Sequence, residues 1–300
     1  MAADATLVVQ PAPAPVRIAR RAWQLRRWPL IPMFFLVLFV FTGVFAPLIA
    51  PHDPERGGLR DRNLPPAWEA GGSSEFLLGT DHLGRDMLSR VIFGARISLA
   101  VAGVTLGVGM VIGVASGLIA GWYGGWLDEF LMRIVDIKLA IPTILLALVL
   151  VLALGQSFLI IVAILAIAVW PRFARNVRGE VLQLKTMDFV ALAKVAGAST
   201  PRILFIHIFP GVINTLIVLA TLEVGIVILL ESTLSFLGAG VPPPTPAWGS
   251  MVSDGRDRLA VAWWISTMPG LAIMLVVLSM NLFGDWLRDR LDPRLRQLNS

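Results

Sequence analysis

Residues 188–210 read DFVALAKVAGASTPRILFIHIFP, a charged stretch that separates two apolar segments, each long enough to cross a membrane. Four residues recur at helical spacing and form one apolar stripe: Phe189, Leu192, Ala193 and Ala196. Asp188 suits the N-terminus of this helix, Gly197 ends it, and Ser199 or Thr200 can cap a second helix that continues to a junction at Pro210. A helix of about ten residues is marginal alone in water. The stripe therefore needs a partner, either another protein or this chain's own helix ends.

The composition indicates an integral membrane protein, because 56% of the 300 residues are hydrophobic and only 15% are charged. The chain has no cysteine and three scattered histidines, so we predict neither a metal site nor redox chemistry. The net charge of +5 comes from cations near the ends of apolar segments, which is typical of topology signals and not of nucleic-acid binding.

A first transmembrane helix is predicted over residues 30–50, after a basic, Pro/Ala-rich disordered tail at residues 1–29. The tail holds five arginines that the positive-inside rule keeps in the cytoplasm: Arg17, Arg20, Arg21, Arg26 and Arg27. A cleaved signal peptide is the alternative. Its apolar core would be about 7 to 15 residues long, so the longer segment favours an uncleaved anchor.

Five further spans are predicted at about 97–121, 127–154, 157–172, 211–237 and 263–285, which gives an all-α protein with six transmembrane helices. Glycines at spacing four in the second span allow close helix packing. The third span is expected to hold its charged residues at the cytoplasmic end: Asp128, Glu129, Arg133, Asp136 and Lys138. Tryptophans are expected as interfacial anchors of the last span: Trp263, Trp264 and Trp286.

Six spans place both termini in the cytoplasm, with an extracytoplasmic loop at residues 51–95, a core at 96–286 and a cytoplasmic tail at 287–300. The 188–210 segment then faces the cytoplasm. Glu223 and Glu231 interrupt the fifth span, where an ionisable group is costly and faces a cavity or a partner. They are candidates for the substrate pathway, where they could meet a peptide ammonium group. The alternative is that they bond neighbouring helices.

Several motifs occur in the order found in one family of transporters. They are LGTD at 78–81, LGRD at 83–86, GARISL at 94–99, LSFLG at 234–238, PPPTPAW at 242–248, DGR at 254–256 and NLFGD at 281–285. The chain resembles the type I ABC importer permeases of the dipeptide, oligopeptide and nickel group, specifically their C-type subunit. The match covers nearly everything from Pro32 to Pro293.

The resemblance implies that the segment before the fifth span, residues 188–209 here, forms coupling helices that enter a cleft on an ATPase subunit. The implied coupling residues are Asp188, Phe189, Ala191, Leu192, Ala193, Gly197, Ala198, Ser199, Arg202, His207 and Pro210. The chain departs from the family's Glu-Ala-Ala at its first two positions, which are Ala191 and Leu192. The sequence therefore does not predict the charge contact that the family's Glu could make to the ATPase.

The resemblance implies a peptide importer in the bacterial or archaeal plasma membrane. Its partners would be membrane lipid, a homologous second permease, two ATPases and an extracytoplasmic binding protein, and no nucleic acid. The chain has no G-x-x-x-x-G-K-[ST] phosphate loop, so we predict no enzyme activity and no bound cofactor, with ATP and magnesium on the partner ATPases. Import of nickel or another small solute is the alternative, and a secondary transporter is a more distant one.

Overall fold

The computed structural model describes residues 29–291, so the tail predicted before the first span and most of the tail predicted after the last lie outside it. The described helices are α1 (Leu30–Ile49), α2 (Met87–Tyr123), α3 (Gly125–Ala140), α4 (Thr143–Leu154), α5 (Phe158–Leu184), α6 (Asp188–Val195), α7 (Thr200–Phe236), α8 (Trp248–Gly255) and α9 (Trp264–Leu291). Within that range there are no strands, only two isolated β-bridges in the loop that follows α1. The fold class is all-α, as predicted.

Five of these helices are long and apolar enough to cross a membrane, namely α1, α2, α5, α7 and α9. A sixth span exists only if α3 and α4 are taken together, and these two helices meet at an angle of 89°. The third span predicted over 127–154 is therefore two helices joined by a sharp bend, and not one continuous helix. Pro142 has no N–H group to donate and disfavours helical geometry in Ile141, which is extended at φ −87° and ψ 126°.

Glycines on one face of α2 form a close contact with α5. A β-carbon at Gly113 would lie 2.4 Å from Cβ of Phe173 on α5, and one at Gly117 would lie 2.6 Å from the Ala174 carbonyl oxygen. The same spacing continues through Gly109 and Gly121, while Gly103 and Gly107 face open space. The predicted close packing therefore applies to one of the two glycine sets. We call the contact of α2 with α5 the glycine seam.

The bundle has two ends. Residues 51–86 and 238–263 form one end, here called the loop end, and α6 lies at the other, here called the α6 end. Trp264 was expected at a lipid interface, but only 2% of it is exposed and its indole donates to the Thr80 carbonyl oxygen at 2.9 Å. Trp263 similarly donates to Glu69, so both indoles fasten the loop end to α9.

Two further helix bounds differ from the predicted spans. Helix α2 begins at Met87 and not near residue 97, because the Asp86 carboxylate caps it by accepting from the Ser89 backbone N–H at 2.9 Å. Helix α5 continues through Pro171 to Leu184, beyond the predicted limit at residue 172. The hydrophobic span is therefore shorter than the helix that contains it.

Candidate functional site

Helix α6 ends in a turn whose backbone geometry requires glycine. Gly197 has φ +77°, its N–H donates to the Lys194 carbonyl at 3.0 Å, and the Ala198 N–H donates to the Ala193 carbonyl at 3.0 Å. These two bonds together form a Schellman motif, which satisfies carbonyls that the helix end would otherwise leave free. Ala193 and Ala198 both pack against the core. The sequence between α6 and α7 is therefore a defined turn.

The α6 helix presents apolar side chains to the outside of the chain. Leu192 is 68% exposed, Val195 is 88% exposed and Phe189 is 41% exposed. Val190 points the other way and is fully buried. The stripe predicted from the sequence thus does not pack on this chain's own helix ends, apart from Ala193. An exposed apolar face on an ordered helix is typical of an interaction surface.

Two lysines hold this region against the end of α2. The Lys194 ammonium lies 4.7 Å from the centre of the Trp122 ring, and Lys185 donates to the Gly121 carbonyl oxygen at 2.7 Å. A cation over an indole ring is worth about 0.5–1 kcal/mol at exposed sites. Because Trp122 lies in the last turn of α2, these two contacts tie the α6 region to the end of that helix.

The predicted second coupling helix is not separate from the fifth span. Thr200–Phe236 runs without a break, and the segment Ile203–Ile208 is a π-helical turn directly before Pro210. A regular α-helix would place the proline ring against the carbonyl of Ile206, and the wider turn relieves that clash. The predicted junction at Pro210 thus coincides with a change from a π-helical turn to an α-helix at Phe209, and not with a break in the helix. Ser199 occupies the N-cap position without a side-chain cap bond.

The remaining predicted coupling residues lie close by. Asp188 is in the first turn of α6, Ala191 and Arg202 are exposed, and His207 is half-buried in the π-helical turn. The sequence interpretation missed Phe205 and Ile206, which are 64% and 57% exposed at the same end. The only sequence signal for them was that residues 203–209 are apolar except for His207, so apolar side chains lie on every face of this segment.

Glu223 is buried in an ionic network. It is 2% exposed, and its Oε1 accepts from Arg172 Nη1 of α5 at 2.8 Å. The Lys138 ammonium, predicted at a cytoplasmic helix end, is instead buried at the α3/α4 bend, where it donates to the Ala168 carbonyl at 2.9 Å. Glu223 thus bonds a neighbouring helix, which is the alternative considered in the sequence analysis, while its Oε2 has no partner among the described atoms.

Glu231 lies two turns further along α7 and is fully buried. It accepts hydrogen bonds from Ser235 at 2.7 Å and from Ser232 at 3.4 Å, both on its own helix. These hydroxyls offset part of the cost of burying a carboxyl group. The structure thus places the two pathway candidates on one helix but in different environments.

The loop end contains a buried charge cluster formed by the LGTD and LGRD motifs. Asp81 accepts from Arg85 Nε at 2.6 Å and lies 3.5 Å from Arg90 Nε, and all three residues are at most 7% exposed. Arg90 also donates to the Pro54 carbonyl at 3.1 Å. Burial lowers the pKa of His82 beside this cluster, against the opposing effect of Asp81. The motifs therefore build a rigid cap on α2.

Among the described residues, no group of three His, Cys, Asp or Glu side chains is arranged to hold a metal ion. The functional geometry of the chain consists of an exposed apolar helix at one end, an ionic network inside the bundle and a rigid cap at the other end.

Residues 109–297 match the family described as binding-protein-dependent transport system inner membrane component. The chain belongs to this family. Residues 17–66 match a second description, the N-terminal transmembrane domain of oligopeptide transport permease C. The resemblance inferred from the motifs is thereby confirmed, and the chain is a multi-pass membrane component of such a transport system.

Relatives in this permease family match nearly the whole chain. The dipeptide transport system permease protein DppC of Escherichia coli K12 is 48% identical over 95% of this chain and 96% of its own length. The di/tripeptide transport system permease protein DppC of Pseudomonas aeruginosa is 42% identical over 98% of this chain and 96% of its own.

Solved structures share the permease fold. Inward-facing MetNI methionine ABC transporter matches with a TM-score of 0.57 and 19% identity, over 69% of this chain and 98% of that one. An amino acid ABC transporter matches with a TM-score of 0.51 and 14% identity, over 68% and 94% of the two chains. At these identities the comparison supports the fold alone.

Proposed function

We propose that this permease is one of two homologous membrane subunits of an ATP-driven importer that takes up dipeptides or oligopeptides. An extracytoplasmic binding protein delivers the peptide to the loop end, and two ATPase subunits bind at the α6 end. The names of the relatives support peptide as the cargo. The observation that carries the coupling role is α6, an ordered helix with an exposed apolar face, held to the transmembrane helices.

The orientation follows from this assignment. The α6 end faces the cytoplasm, the loop end faces outward, and the protein lies in the plasma (inner) membrane. The arginines that precede α1 support this orientation through the positive-inside rule.

Docking of α6 rests on apolar burial. Covering Phe189, Leu192 and Val195 in a cleft of an ATPase contributes about 1.5–3 kcal/mol for each large side chain. Ala191 and Leu192 replace the family's first two positions, so apolar contact takes the place of a charge contact there. This chain binds no nucleotide or other cofactor, and ATP and magnesium are held by the ATPases.

Movement then passes from the ATPases to the pathway along two routes. Lys194 transmits it to α2 through Trp122, and the turn at Gly197 transmits it to α7. Because α7 is continuous from Thr200 to Phe236, displacement at its start reaches Glu223 and Glu231 inside the membrane. The permease rocks between inward and outward openings as the ATPases close and separate.

The test is purification of the tagged permease from its native membrane, reconstitution with the binding protein, and measurement of ATP-dependent dialanine uptake. Leu192→Asp is expected to lose the ATPases during purification, because a carboxylate would enter an apolar cleft. Leu259→Asp, at a 52% exposed leucine of the loop end, is the control and retains them. Uptake of nickel without dialanine would refute the peptide assignment, and ATPase retention by Leu192→Asp would refute the docking role of α6.

A further inference from the structure

A cavity of about 760 Å³ opens among α5, α7 and α9 at the α6 end of the bundle. This volume is within the range of sites that bind small molecules. Its polar lining consists of Asn176, Glu180, Gln183, Asn214, Thr215 and Arg288. The cavity is distinct from the buried network around Glu223, which does not line it.

The cavity holds one acidic and one basic side chain that do not neutralise each other. Glu180 accepts a hydrogen bond from the Thr215 hydroxyl at 2.9 Å, and neither Glu180 nor Arg288 forms an ion pair with a described residue. The nearby arginines of α5 are instead occupied, since Arg175 pairs with Asp136 and Arg178 pairs with Asp128. A carboxylate and a guanidinium thus face one cavity, and both are available to a ligand.

We propose that this cavity is an exit site that binds a short zwitterionic peptide by its two free ends. Glu180 accepts from the peptide α-ammonium group, and Arg288 donates to its α-carboxylate, which suits the planar guanidinium. The side-chain amides of Asn214 and Gln183 make no other hydrogen bond in the described structure and pair with the peptide bond. Nothing in the cavity demands a particular side chain, so binding depends on the termini.

This inference rests on the proposed function, and its test separates the two. The intact complex, purified with its ATPases and second permease, is placed in nanodiscs without the binding protein and titrated calorimetrically with dialanine, N-acetyl-dialanine and dialanine amide. Glu180→Gln and Arg288→Gln are the test variants. Glu129→Gln and Arg133→Gln are the controls, because they make the same charge changes at exposed positions of α3 that do not line the cavity.

We expect saturable dialanine binding that each blocking group weakens about tenfold, the effect of losing one charge-assisted hydrogen bond. Glu180→Gln should weaken dialanine binding by a similar factor and leave the affinity for N-acetyl-dialanine unchanged. Arg288→Gln should likewise weaken dialanine binding and leave the affinity for dialanine amide unchanged. The control variants should bind all three peptides as the unaltered complex does.

Three results would overturn the exit site: no saturable binding at millimolar dialanine, equal weakening of free and blocked peptides by Glu180→Gln, or loss of a partner subunit from either test variant, which would mark a subunit contact. A complex that imports dialanine with its binding protein but fails these tests refutes this inference alone. A complex that imports no dipeptide refutes the proposed function as well.

Discussion

Replacing Gly113 by alanine should destabilise the permease by spreading the glycine seam. The new methyl group would lie 2.4 Å from Cβ of Phe173 and 2.7 Å from the carbonyl oxygen of Trp170, where ordinary contacts begin at 3.4 Å. One of these neighbours is backbone, so a side-chain rotation cannot make room. Helices α2 and α5 must therefore separate by about 1 Å at this point, with loss of dispersion contacts along the seam.

Overpacking of this kind costs about 1–3 kcal/mol. The matched control is Gly107→Ala on the same helix, where an added β-carbon meets nothing within 4 Å and the change should stay within about 0.5 kcal/mol. The free energy of unfolding of both variants is measured in mixed micelles with increasing sodium dodecyl sulfate. Equal unfolding midpoints for Gly113→Ala and Gly107→Ala would refute the idea that the seam is close-packed.

Three further predictions follow from the sites described. Gly197→Pro or Gly197→Trp should leave membrane insertion intact but uncouple peptide uptake from ATP hydrolysis, because neither residue suits φ +77°, whereas Gly197→Asn should remain coupled; normal uptake by both disruptive variants would contradict this. Glu223→Leu should lower the free energy of unfolding by less than the about 3–5 kcal/mol lost when a fully buried ion pair is broken, since the partner Arg172 is 45% exposed. Adding Arg172→Met should recover part of this loss in a double-mutant cycle. Strictly additive effects of the two substitutions would argue against the ion pair. Burial lowers the pKa of His82 below 6.5, so the folded state binds fewer protons than the unfolded state, and the free energy of unfolding should rise with pH from the lowered pKa up to 6.5. The His82→Gln variant should flatten this rise when unfolding is measured as a function of pH. An unchanged slope would exclude His82 as its source.

Hydropathy and glycine content predicted much of this fold. The apolar segments predicted the first residue of α1, α5 and α9 and the last residue of α7 to within one position. Gly197 marked the end of α6. The long apolar run around Ile141 concealed the bend between α3 and α4, because hydropathy does not register a change of direction. Pro142 was the available signal, since proline restricts the residue that precedes it.

The ionic contacts could not be predicted, because they join residues far apart in the sequence. Arg172 and Glu223 are 51 positions apart, and a single sequence contains no information on which helices become neighbours. Glu223 could be recognised as costly in a span, but its partner could not. The coupling role of the 188–210 segment likewise came from a family resemblance, and hydrophobic spacing alone left its partner open.

The structure suggests where the permease does not bend. Helix α2 has 37 residues without a break, about 55 Å at the usual helical rise, and it extends from Trp122 beside α6 to the capped end at Asp86. The glycine seam joins α2 to α5 along the half of α2 nearer α6. The buried charge cluster of Asp81, Arg85 and Arg90 holds the other end of α2 to the loop end. Because close-packed helices move together, we expect α2, α5 and the loop end to rotate as one body when the ATPases displace α6. The α3/α4 bend at Ile141 has no glycine seam, but Lys138 ties it to α5 by donating to the Ala168 carbonyl at 2.9 Å, so we expect the bend to move with α5.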